Sequence, residues 1–313
     1  MPMVTFLARR VAAAVLLLGL LSLLTYGLLA VAPGSPEQAL LGSRPSTPET
    51  RAAIRAEFML DEPFVVRYGH WLGNAVHGDF GSSVYSREPV SSVVGERFST
   101  TAGLAAYAVG LTLVVAIPTG LIAGMRRGSG LDQGITSAAL IATSVPSYAL
   151  GIALLYGFAV ALGWFPMYGS GDLAHLTLPA IALAAGQAAF VVRQTRAAAL
   201  DLANQDYLTF ARARGLGRRR IWVSYALRNA SLPVLTVGGL LLAANLTGAV
   251  FVERVFSLPG LGSLLIQAVG QKDIPVVQAL VLLGGTVVVV TNLLIDLACL
   301  AVDARVRHGV IEA

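Results

Sequence analysis

The chain has 313 residues, of which 56% are hydrophobic and only 12% are charged, and its mean hydropathy is +0.72. Soluble domains carry roughly twice that share of charge, so water is not the main solvent here, and the apolar surface must face lipid or other helices. The net charge of +5 sits in short clusters beside apolar blocks, a pattern that sets membrane orientation and argues against nucleic acid as a partner, while the single cysteine, Cys299, excludes an internal disulfide or a paired-cysteine metal site.

A helix needs about 20 apolar residues to cross the hydrocarbon core, and six uncharged blocks of that order predict six transmembrane helices in an all-α integral membrane protein. After a cytoplasmic N-terminus (1–10), the first span is 11–32. Arg9 and Arg10 before it and Ala30-Val31-Ala32 after it resemble a signal peptide. Its uncharged run is longer than a signal core and Pro33 follows the candidate cleavage point, so it reads as a retained helix.

An outer loop over 33–100 separates it from the second span, 101–125. This loop combines turn formers (Pro33-Gly34-Ser35-Pro36 and Arg44-Pro45-Ser46-Thr47-Pro48) with a short helical pattern from Pro48 to Met59, and then Phe64, Tyr68, Trp71 and Phe80 at spacings suited to a membrane surface. The third and fourth spans are 135–162 and 173–192. A cytoplasmic loop over 193–230 leads to the fifth span, 231–252, then an outer loop over 253–273, the sixth span, 274–302, and a cytoplasmic C-terminus, 303–313. The helical core is 95–302.

Arginine bookkeeping orients these spans. With the N-terminus inside, the inner segments carry 14 of the 22 basic residues. The outer stretch from Pro33 to Arg97 holds eight acidic residues against six basic ones. An even span count places both basic termini inside. Pro118, Pro146, Pro179 and Pro233 predict kinks, which membrane helices tolerate where neighbours satisfy the freed carbonyls. Glycine- and alanine-rich spans predict close helix packing.

Enzymatic chemistry finds little support. His70, His77, His175 and His308 lie in loops or at span edges, and neither His-Glu-x-x-His nor Gly-x-Ser-x-Gly is present. A phosphate-binding loop needs a lysine after glycine, but Lys272 is the only lysine and Asp273 follows it. The chain therefore carries no catalytic residues, no resident metal and no ATPase of that type. Charges inside the spans are few, with Asp296 near the inner end of the sixth span, the polar Asn292 one turn before it and Asn245 in the fifth as candidates, which disfavours an ion-coupled carrier.

The inner loop runs Asp206-Tyr207-Leu208-Thr209-Phe210-Ala211-Arg212-Ala213-Arg214-Gly215-Leu216, with Ala226-Leu227-Arg228-Asn229-Ala230-Ser231-Leu232-Pro233 further on. Between Arg193 and Arg228 it carries eight arginines and two aspartates. Asp206 can cap a short helix and Gly215 can end it in the left-handed conformation. The small residues Ala211, Ala213 and Gly215 allow another protein to approach closely; an amphipathic helix on anionic lipid is the competing reading.

This segment resembles the coupling loop of ABC importer permeases, specifically the dipeptide, oligopeptide and nickel type. Aligned on Gly215, Ala211 and Leu227 match the general family pattern. Thr209, Phe210, Tyr225 and Arg228 depart from it and follow the peptide-permease version. Further landmarks in order are Ala8-Arg9-Arg10, Ala32-Pro33-Gly34-Ser35-Pro36, Leu60-Asp61-Glu62-Pro63, Gly78-Asp79-Phe80-Gly81, Glu253 to Gly262 and Asp303-Ala304-Arg305-Val306-Arg307.

The resemblance implies a type I ABC importer permease fold in the bacterial plasma membrane. It also implies a second homologous permease subunit, two ATPase subunits that hold ATP and Mg, and an extracytoplasmic binding protein that delivers di- or oligopeptides. Asp206, Tyr207, Ala211, Arg212, Ala213, Gly215, Leu216, Arg228 and Asn229 would form the ATPase-coupling surface. Arg44, Arg51, Arg55, Glu253 and Gly260 would face the binding protein, and Asn245, Tyr148 and Tyr107 are candidates for the pathway. Nickel or glutathione permeases share the scaffold, and an ion-coupled carrier is the remoter alternative.

Overall fold

The computed structural model describes residues 3–31, 36–41, 46–169, 171–203, 205, 210, 214–215, 217 and 228–302. Among them the chain is all-helical, apart from one isolated antiparallel bridge between Ser82 and Pro89. Four helices are long and apolar enough to cross a bilayer, over Leu7–Gly27, Val90–Met125, Leu173–Asp201 and Ile274–Leu297, and a bent pair of helices makes a fifth candidate. The chain divides into two compact units.

The first unit takes the described residues of Met1–Thr101 together with Pro259–Val290. Helix α1 (Met3–Val31) inverts the pattern of a water-soluble helix: Leu16 is 73% exposed, while Ser22, Thr25 and Tyr26 are buried. Lipid accepts leucine side chains at no cost, whereas hydroxyls must find partners inside the protein. The Ser22 hydroxyl bonds to the Gly19 carbonyl and to Tyr68 Oη.

The region expected as an outer loop over 33–100 is largely helical. It holds α2 (Pro36–Leu41), α3 (Pro48–Glu57), α4 (Phe64–Val76) and the start of α5 (Val90–Met125), which begins before the apolar stretch does. Helices need turns of hydrogen bonds, not apolarity, so α5 carries Glu96 and Arg97 in its first part. Thr47 caps α3 by accepting the Thr50 N–H, with Pro48 at the first helical position. Leu40, Leu41, Ile54 and Val84 form the small core beneath α2 and α3. On α4, Phe64, Tyr68 and Trp71 share one face and surround Tyr26 at ring-centroid distances of 5.1–5.7 Å.

A tight loop with left-handed residues at Gly78, Gly81 and Arg87 precedes α5. Asp273 anchors it, accepting from Ser83 Oγ (2.5 Å), the Val84 N–H (3.2 Å) and the Tyr85 N–H (3.3 Å). The segment expected as an outer loop over 253–273 likewise contains helix, as α11 (Leu261–Gln271). Its first N–H donates to Thr101 Oγ1, and Lys272 ends it in the left-handed conformation before α12 (Ile274–Val302).

The second unit takes Ala102–Leu258 with the described residues of Thr291–Gly309. It contains the rest of α5, then α6 (Gly130–Ser144), α7 (Ser147–Leu154), a π-helical stretch over Leu155–Ala161, α8 (Leu173–Ala203), α9 (Arg228–Gly248) and α10 (Val250–Val255). Its cores are built around alanines, among them Ala105, Ala108, Ala116, Ala180, Ala182 and Ala199, so backbones approach closely.

The third expected span, 135–162, is not one straight helix: α6 and the α7–π segment meet at 97°. The break falls at Pro146. This proline disfavours helical backbone at Val145, which is extended (φ −95°, ψ 120°), and it lacks the N–H that would continue the ladder. Pro118 and Pro179 stay within continuous α5 and α8. Beside Pro118, the Thr119 hydroxyl donates to the Val115 carbonyl. The fourth span was expected to end at Val192, but α8 continues through the arginines to Ala203, beyond what apolarity alone marks.

Candidate coupling and translocation site

Of the residues expected to face the ATPases, Asp206, Tyr207, Ala211, Arg212, Ala213 and Leu216 lie outside the described residues. Gly215 adopts φ +74°, the left-handed conformation read for it from the sequence, and the Arg214 N–H donates to the Phe210 carbonyl in the turn before it. Arg228 and Asn229 open α9.

The segment that carries these residues leaves from the end of α8, where two contacts are notable. Arg196 forks onto Asp132 of α6, with Nε donating to Oδ1 at 2.6 Å and Nη2 donating to Oδ2 at 2.9 Å. The Asp132 side chain is only 5% exposed. Asp132 is also integrated into the start of α6: its Oδ2 accepts the Gly128 N–H, and its own N–H donates to the capping Ser129 hydroxyl. On α5, Gly120 and Gly124 face α8. A Cβ at Gly120 would lie 2.7 Å from both Thr195 Cβ and the Val192 carbonyl oxygen. A Cβ at Gly124 would lie 2.5 Å from Ala199 Cβ and 2.8 Å from the Arg196 carbonyl oxygen.

Sequence reasoning missed this pair. Arg196 counts there only as one of the inner arginines, and its partner lies 64 positions away. The one legible signal was an acid, Asp132, three residues after Ser129 in a short inner connection that is otherwise basic.

The three pathway candidates separate. Asn245 is buried, and its amide exchanges two hydrogen bonds with Gln187 of α8. Tyr107 is partly buried, with its hydroxyl 3.3 Å from Thr177 Oγ1. Tyr148 is 48% exposed, with its ring 6.1 Å from Phe251. Tyr148 is the most exposed of the three; Asn245 joins α8 to α9.

The docking candidates separate too. Arg44 lies outside the described residues. Arg51 and Arg55 are exposed on one face of α3, Arg51 donating to Ser46 Oγ and Arg55 to Glu37 at 2.5 Å. With Pro48, Ala52, Ala56 and Asp61 they line an open depression of about 460 Å³. The Glu37 carboxylate strengthens the protonated state of Arg55. Glu253, another of the docking candidates, is 0% exposed: its N–H donates to the Ala249 carbonyl, and its carbonyl accepts the Leu258 N–H. Gly260 is buried as well and caps α11. An acidic residue one turn into an apolar helix looks solvated in sequence; here it folds inward.

Long apolar helices, alanine-lined cores, and arginine-flanked ends together define a helical membrane protein. The family model described as "Binding-protein-dependent transport system inner membrane component" matches residues 116–308, and the model for the N-terminal part of such components matches residues 3–105. The chain belongs to this family. It is 39% identical over 314 residues to a Brucella abortus protein named for a role as peptide transport system permease, covering 98% of this chain and 100% of that one. It is 35% identical over 317 residues to the oligopeptide transport system permease protein AppB of Bacillus subtilis, at 98% and 100% coverage.

Proposed function

We propose that this chain is the permease subunit of an ATP-driven importer of di- or oligopeptides and forms half of the translocation pathway. The observation that carries the reading is similarity along 98% of the chain to proteins named as peptide permeases, which accompanies the coupling-loop pattern around Gly215. Six spans would be α1, α5, the bent α6–α7 pair, α8, α9 and α12, with both termini cytoplasmic. The uncharged run over 231–252 supports the inclusion of α9.

In this reading a second homologous permease completes the pathway and two ATPase subunits supply ATP hydrolysis. They would dock on Asp206 to Leu216 and on Arg228 and Asn229. A binding protein would dock on the outer α2–α3 region through Arg51 and Arg55; Arg51, held by the neutral Ser46 hydroxyl, brings the positive charge that suits an acidic patch on that partner, while Arg55 is paired with Glu37. The buried Glu253 side chain has no part in that surface.

The test is reconstitution in proteoliposomes with the partner permease, ATPases and binding protein. ATP-dependent accumulation of a labelled peptide is expected, with nickel and glutathione as parallel cargoes. Accumulation of either instead of peptide would overturn the cargo assignment. Arg51→Glu should raise the binding-protein concentration for half-maximal uptake about tenfold, the effect of losing about 1.4 kcal/mol, without changing the rate at saturation.

A further inference from the structure

We infer that the Asp132–Arg196 pair is a positioning strut that couples the ATPase-facing segment to the spans: it makes the inner ends of α5, α6 and α8 move as one body. The inference rests on the proposed importer function. The described part of α8 reaches Ala203, three positions before Asp206 in the sequence, so displacement of the coupling segment reaches the spans through the last described turns of α8. Arg196 sits about two turns before that end.

Two kinds of contact grip α8 there. On the α6 side, the planar guanidinium fork meets both carboxylate oxygens at 2.6 and 2.9 Å, which fixes rotation as well as distance. Asp132 in turn holds the Gly128 N–H and lies in the capped first turn of α6, so its carboxylate is a fixed point and not a loose surface acid. On the α5 side, Gly120 and Gly124 meet backbone oxygens and Cβ atoms of α8, groups that have no rotamers with which to absorb a shift. An apolar contact at Arg196 would let α8 slide. A forked pair with a buried carboxylate instead resists separation, because pulling it apart strands an uncompensated charge.

A clamp that serves only folding would make the same contacts, so the test must read coupling. The complete importer is assembled with Asp132→Asn, which keeps the side chain's shape and an oxygen acceptor but loses the charge. Peptide transported per ATP hydrolysed is then measured per assembled complex. The expected result is retained ATP hydrolysis with the ratio lowered about fivefold or more, a modest coupling loss between sites. Arg196→Lys, which keeps the charge but not the fork, should give an intermediate ratio, and the exchange Asp132→Arg with Arg196→Asp should recover part of the loss.

An unchanged ratio in Asp132→Asn, whatever the amount assembled, overturns the inference. If that variant does not assemble, Arg196→Lys decides by the same ratio. If neither assembles, the pair belongs to folding alone and the inference fails. The wild-type complex in the same vesicles separates the two readings: no ATP-dependent peptide uptake by the wild type overturns the importer function itself, whereas normal wild-type uptake with an unchanged variant ratio overturns only the strut.

Discussion

A polar group in an apolar chain persists where a neighbour satisfies it, and Asn245 and Asp273 illustrate two ways of doing so. Asn245 is paired amide to amide with Gln187 across α8 and α9. Asn245→Leu removes both bonds and orphans the Gln187 amide, which should cost about 1 kcal/mol in a membrane-embedded site. Thermal melting of the detergent-solubilised protein should fall by a few degrees while the half-saturating peptide concentration for uptake stays at the wild-type value. A shift in that concentration would return Asn245 to the pathway. Asp273 serves three donors of the 83–85 loop. Asp273→Ala strands the buried Val84 N–H and loosens the loop, at a cost of about 2–3 kcal/mol. Limited proteolysis should then cut within residues 82–89, a segment that stays intact in the wild type.

Among the helices, hydropathy marks where apolar stretches lie but not where helices begin, end or bend. α5 starts at Val90 and α8 runs to Ala203 because backbone hydrogen bonding continues past the apolar window into charged residues such as Glu96, Arg97 and Arg193. Prolines show the same gap. Pro118, Pro146 and Pro179 look alike in sequence, yet only Pro146 of these ends a helix, with Val145 extended before it. If Pro146 causes the 97° bend, Pro146→Ala should allow α6 to continue into α7. Spin labels at the exposed positions Leu131 and Val160 should then move apart, read as a longer dipolar distance than in the proline-containing protein. An unchanged distance would assign the bend to packing around Gly151 and Phe256, where a Cβ on the glycine would lie 3.2 Å from the ring.

At the scale of the molecule, composition and spacing made the membrane class, the all-helical content and the left-handed Gly215 legible, because each rests on local residue chemistry: long uncharged runs, arginines at their ends, and a glycine that takes positive φ. The pairings were not legible. Glu253 turning inward and Arg196 reaching Asp132 depend on which helices meet, and no local pattern encodes that. Orientation is a proposal that rests on arginine asymmetry alone, which predicts the 33–100 region outside and the arginine-rich 193–230 segment inside. In a Cys299→Ala background, single cysteines at exposed Ser46 and exposed Gly217 test it directly. A membrane-impermeant maleimide applied to intact cells should label the cysteine at 46, whereas the cysteine at 217 should react only after permeabilisation. The reverse pattern would invert the protein in the membrane, place the arginine-rich loop outside the cell, and remove any route from an internal ATPase to α8.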